Sequence, residues 1–214
     1  QGVTDDSYPN GVPFTTPNLG SALIDSGYSF RGYSEGLPSI GFNGTSSGQY
    51  ARKHNPWVNW QNSNVHGIPM NSNLPLTYFP VDYDSLPTIS FVIPNQNNDM
   101  HNGTDPSTIT TGDNWLQVHL SNYIQWAKTH NSLFILTFDE GVDPGQNRIV
   151  TIFLGPMVKH AQYNETINHY NILRTLEDMY HLPRAGASSS ALPITRSEEH
   201  TSELQSRFGI SYAV

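Results

Sequence analysis

The stretch "SLFILTFDEG", residues 132–141, is apolar from Leu133 to Phe138 apart from Thr137, and it runs directly into two adjacent carboxylates, Asp139 and Glu140. A short continuous apolar run without alternation reads as a strand buried on both faces, which an α/β fold provides by covering its sheet with helices. Working outward, Trp115, Leu116, His119, Leu120, Tyr123, Ile124 and Ala127 recur at helical spacing. They predict an amphipathic helix with Asp113 placed to cap it and Lys128 and His130 in its last turn. Further upstream, "PTISFVIPN" (87–95) is a β-branched run bounded by prolines, expected as a second buried strand. Downstream, "RIVTIFLG" (148–155) predicts another strand, and Ile172, Leu173, Leu176 and Met179 predict a helix from about Asn168 to Tyr180. Nearer the N-terminus, Asn18 can cap a short helix carrying Leu19, Ala22 and Leu23 that Gly27 ends, followed by a strand within Tyr28–Glu35. The order strand, helix, strand, strand, helix implies an α/β fold around a largely parallel central sheet.

Composition narrows the function. Of 214 residues, 36% are hydrophobic and only 13% charged, with 17 Gly and 15 Pro, so loops occupy much of a folded chain. Ten basic against 18 acidic residues give a formal charge of −8, which argues against a grip on nucleic acid. The absence of cysteine excludes disulfides and thiolate metal sites but leaves the compartment open. No run approaches the roughly 20 apolar residues of a membrane span, so no transmembrane segment is expected. Nor does a charged-then-apolar leader open the chain; an export signal is expected upstream of it.

The residues able to carry chemistry cluster near strand ends. Asp139 and Glu140 leave the strand at its C-terminal edge, where α/β sheets bind ligands, and two hard oxygen donors there suit a divalent cation. They equally suit a simple turn. Asp99 and His101 lie in the loop after the 87–95 strand, where a histidine can donate to a phosphoryl oxygen or protonate a leaving alkoxide; solvated loop residues are the alternative. Lys53 and His54, in "KHNPWVNWQNSN" (53–64) beside Trp57 and Trp60, combine a fixed charge and a titratable donor with aromatic surface, or else decorate a surface loop. His169 opens the last helix, as a cap or as a ligand. Asn147 and Arg148 precede a strand and carry no readable chemistry of their own.

Taken together, "SFVIPNQNNDMHNG" (90–103), "GDNWLQVHLSNYIQWAK" (112–128), "LFILTFDEG" (133–141), "NRIVTIFLGP" (147–156) and "INHYNILRTLEDMYHLP" (167–183) resemble, in order, the bacterial phosphoesterase family of acid phosphatases and phospholipases C. "TPNLGSALIDSGYSFRGYSE" (16–35) and "YARKHNPWVNW" (50–60) extend the resemblance to residues 1–195. It implies an alkaline-phosphatase-like α/β sandwich and a secreted or periplasmic hydrolase of small phosphate esters. By the resemblance, Asp139 and Glu140 bind a divalent metal cation, His101 contacts the transferred phosphoryl group with Asp99 supporting it, and Lys53, His54 and His169 wall the substrate site. Family members begin with a strand, a Glu-Asn metal motif and a Ser or Thr nucleophile, none of which matches this sequence. A chain that starts just after the nucleophile, and is inactive alone, is therefore expected.

The C-terminal residues 196–214 stand apart. "RSEEHTSELQS" (196–206) is the translation in one frame of a common sequencing adapter, and "ISYAV" (210–214) matches that adapter's next constant part, with Arg207 to Gly209 filling the place of its index. Residues 1–195 are thus expected to form a partial phosphoesterase domain and 196–214 a disordered tail outside it. Two rival functions remain in view: a phospholipase C-type phosphodiesterase, and a non-catalytic domain holding a cation or glycan. The segment 36–87 shows no long amphipathic element for lipid docking, which favours the phosphomonoesterase.

Overall fold

A computed structural model describes residues 8–141, 145–194 and the backbone of 211–212. Its elements are, in chain order, α1 (Leu19–Asp25), β1 (Phe30–Ser34), β2 (Ser46–Ser47), β3 (Tyr50–Ala51), β4 (Asn73–Pro75), β5 (Ile89–Ile93), α2 (Ser107–Ala127), β6 (Phe134–Thr137), β7 (Thr151–Leu154), α3 (His169–Met179) and β8 (Ser211–Tyr212). One three-stranded sheet, β4-β1-β5, is parallel throughout, in a register that sets Phe30 against Ile89 and Ser34 against Ile93. The second, β7-β6-β8, pairs β6 with β7 antiparallel and with β8 parallel, and β8 also packs beside β5. The expectation of a largely parallel sheet thus holds for β4-β1-β5 but not for β6 and β7. Among its described residues the connection between those two carries no helix to make the crossover that a parallel pair needs.

The apolar runs are explained by burial on both faces. Phe30, Ile89, Ile93 and Ile135 pack with Leu23 of α1 and Ile172 and Leu176 of α3 on one side. Tyr33, Val92 and Phe134 pack with Trp115, Leu120, Tyr123 and Ala127 of α2 on the other. The result is an α/β arrangement with helices covering both faces of its strands.

Helix ends show where local chemistry acts. Asn18 Oδ1 accepts from Ser21 N at 2.9 Å, and Asn168 closes a reciprocal capping box with Asn171 at the start of α3. The start of α2 corrects the sequence reading: it begins at Ser107, so Asp113 lies within the helix and caps nothing. Pro106 stands at its N-cap, where a missing N–H costs no helical bond, and the threonine-rich first turn lacks the apolar periodicity that would reveal it. At its other end Lys128 is the C-cap and His130 lies beyond, its Nδ1 donating to Trp126 O at 2.7 Å with the rings stacked 4.2 Å apart. Residues 36–87 form short strands and single 3₁₀ turns.

Candidate active site

The loops leaving β5 and β6 open on one cavity of about 360 Å³, lined by His54, Asp99, His101, Asp105, Asp139, Glu140 and Arg148 with apolar walls from Met100, Ile109, Phe138 and Val150. The structure therefore brings together five of the seven residues singled out from sequence. Several hydrogen bonds hold the first loop. Glu35, at the end of β1, accepts from Asn95 N at 2.9 Å and from Asn98 Nδ2, pinning the chain as it leaves β5. Ser34 Oγ donates to Asn55 Oδ1 at 2.9 Å, which ties the His54 segment to the same strand end.

Asp99 is the hub of this loop. Nearly fully buried, it accepts from His101 N through Oδ1 at 2.8 Å, and its Oδ2 lies 3.2 Å from His54 Nδ1. That second contact is within ion-pair range but not aligned as a hydrogen bond, since Oδ2 receives none. Asp99 thus holds the His101 backbone and lies beside the His54 ring, and the two imidazole centroids are 6.0 Å apart. Between Asp99 and His101, Met100 takes a left-handed φ of 74°, which turns the chain sharply. Its side chain then packs on α2 where Gly112 has no Cβ; a methyl there would meet Met100 Cε at 2.6 Å.

The second loop is braced differently. Asp139 Oδ1 accepts from Glu140 N at 2.8 Å, leaving both carboxylates exposed to the cavity. His169, the first residue of α3, does not line the cavity. Its Nε2 lies 2.8 Å from Asp139 O, and because a carbonyl only accepts, that nitrogen carries the proton. Lys53 faces a separate small cleft with Tyr8 and Arg52. The flanking tryptophans turn inward: Trp57 is buried with Nε1 on Asn73 Oδ1, and Trp60 Nε1 donates to Thr16 O.

Sequence reasoning passed over Glu35 and Asp105 and read no chemistry in Arg148. Asp105 is held by Thr108 Oγ1, and Arg148 reaches the cavity from the chain entering β7. None has a motif of its own; only the folding of distant loops onto one edge shows them. As for the cation, Asp139 and Glu140 have the hard-oxygen chemistry that a divalent ion takes. Among the described residues, however, no three ligating side chains come together, so the pair fits part of a coordination shell.

The chain is 48% identical over 197 residues to the phosphatidylinositol-3-phosphatase of Mycobacterium tuberculosis, covering 91% of this chain and 62% of that protein. A probable acid phosphatase of Kluyveromyces lactis is 28% identical over 197 residues, covering 85% of this chain and 46% of the relative. This chain thus spans less than two thirds of either relative's length. No solved structure gives a significant match. Residues 2–183 match the phosphoesterase family, in agreement with the motif order and with the shared cavity, and the chain belongs to that family.

Proposed function

We propose that this chain forms the larger part of a phosphatase site that hydrolyses small phosphate monoesters. The observation that carries the reading is the convergence of Asp99, His101, Asp139 and Glu140 on one cavity at the ends of β5 and β6. His101 donates a proton to the phosphoryl or leaving oxygen, Asp99 orients it through its backbone N–H, and His54 stands behind as a second titratable donor. Asp139 and Glu140 would hold the divalent cation that, when bound, neutralises phosphoryl oxygens. His169 keeps their loop in place by its bond to the Asp139 carbonyl. Lys53, in its neighbouring cleft, serves parts of the substrate that extend beyond the cavity.

Among the described residues lining the cavity none is a serine or threonine, and on this reading the nucleophile is supplied from outside them, so that the chain alone is expected to turn over nothing. Within the family the phosphatase reading is favoured over a phospholipase C-type diesterase by the names of both relatives and by the short-turn character of residues 36–87. An alkaline-phosphatase-like architecture and export from the cytoplasm belong to the same reading and rest on the resemblance of the motifs.

The test is hydrolysis of a chromogenic phosphate monoester by the full-length protein, by its His101→Ala and Asp139→Ala variants, and by this chain alone. Loss of a general acid should lower kcat by about 100-fold or more in His101→Ala. Full activity of both variants would remove the site assignment, and turnover by the chain alone would show that the nucleophile lies within it.

A further inference from the structure

The cavity is electrostatically unbalanced, with more carboxylates than fixed cations among its described lining residues. Asp99, Asp105, Asp139 and Glu140 all line it, and among the described lining residues Arg148 is the sole permanently charged cation. His54 and His101 are cationic only when protonated, and Lys53 belongs to the neighbouring cleft. A phosphate monoester brings up to two negative charges into this setting. Repulsion from carboxylates a few ångströms away opposes its entry unless a fixed positive charge faces it.

The backbone builds Arg148 into that position. Asn147, in a left-handed conformation with φ 44°, accepts from Gly141 N through Oδ1 at 2.7 Å, which closes the loop from the carboxylate pair back onto β7. The approach is so close that a Cβ on Gly141 would lie 2.6 Å from Arg148 O, and only glycine leaves the two chains this near. The backbone of Arg148 is therefore held beside Gly141, three residues before β7 begins at Thr151, and the residue lines the same cavity as Asp139 and Glu140. Its side chain is exposed, and it makes no salt bridge among the described residues.

We propose that Arg148 is the phosphoryl-binding residue of this site, gripping two non-bridging oxygens of the substrate with the planar fork of its guanidinium. The assignment rests on the phosphatase reading above and deepens it, giving the cavity a recognition element for a tetrahedral dianion.

The test uses the full-length protein and its Arg148→Gln and Arg148→Lys variants. Calorimetry measures affinity for inorganic phosphate, and steady-state kinetics with a chromogenic monoester separates KM from kcat. Arg148→Gln should weaken phosphate binding and raise KM about tenfold or more, with a smaller effect on kcat. Arg148→Lys should fall between, because an ammonium restores charge but not the fork. Wild-type phosphate affinity and KM in Arg148→Gln would overturn the role of Arg148 while leaving the phosphatase reading intact. A wild-type protein that neither binds phosphate nor hydrolyses the ester would remove both. The lysine variant, with unfolding midpoints measured for all three proteins, separates lost recognition from lost folding.

Discussion

At the scale of single residues, Asp99 shows how one buried carboxylate organises several groups. Its two oxygens face different partners, the His101 amide and the His54 ring, so substitutions that keep or remove the acceptor have different consequences. Asp99→Asn preserves an acceptor for His101 N and should change stability by under about 1 kcal/mol, while disturbing the charge beside His54. Asp99→Ala leaves the amide without its acceptor and a void beside His54, and should cost about 2 kcal/mol or more. Urea denaturation of the two variants checks the difference. Equal losses would show that the carboxylate's charge, rather than its hydrogen bond, holds the loop.

At the scale of an element, α3 is fixed to the chain that follows it through Glu177. This fully buried side chain accepts from Ala185 N at 2.8 Å and from Ser188 Oγ at 2.5 Å. Burial raises its pKa above the ordinary carboxylate range, with the Ser188 and Ala185 hydrogen bonds opposing the shift in part. The folded state therefore binds its proton more tightly than the unfolded chain does. Its contribution to stability is full below the unfolded pKa and falls as pH rises through the window up to the raised value. Glu177→Gln lacks this titration, so the stability difference between wild type and variant should shift in the variant's favour as pH rises above the ordinary carboxylate pKa. Unfolding midpoints across that range test the sign, and a parallel pair of profiles would show that the buried carboxyl does not titrate there. Glu177→Ala, which orphans two donors, should cost about 2 kcal/mol or more at any pH.

At the scale of the whole molecule, the apolar contacts of the strands with α1, α2 and α3 lie apart from the exposed carboxylates Asp139 and Glu140. The fold and the proposed cation site are therefore separable. A chelator should abolish phosphatase activity in the full-length protein while moving the thermal midpoint by no more than about 2 °C, since a weakly held ion adds little by mass action. A drop of many degrees would place the cation in the fold's own stability. Among the described residues no helix is long and apolar enough to cross a membrane.

By itself the sequence determined the buried strands β5 and β6, the long helix and the last one, because continuous apolar runs and 3.6-residue periodicity encode burial directly, and it placed Asp99, His101, Asp139 and Glu140 just beyond those strands. It also carried the cap of α1, where Asn18 acts on its own next turn, whereas α3 is capped by Asn168 and not by the His169 considered from sequence. The start of α2 was hidden because a threonine-rich turn has no apolar period, and the antiparallel pairing of β6 and β7 because strand direction is no property of a segment. Only the tertiary structure decided that Glu35 steadies the β5 loop, that His169 holds the Asp139 carbonyl, and that Lys53 and Arg148 fall into different clefts. Those relations join residues far apart in the chain, through backbone amides and carbonyls that every residue possesses, and such groups leave no mark in the sequence until the fold brings them together.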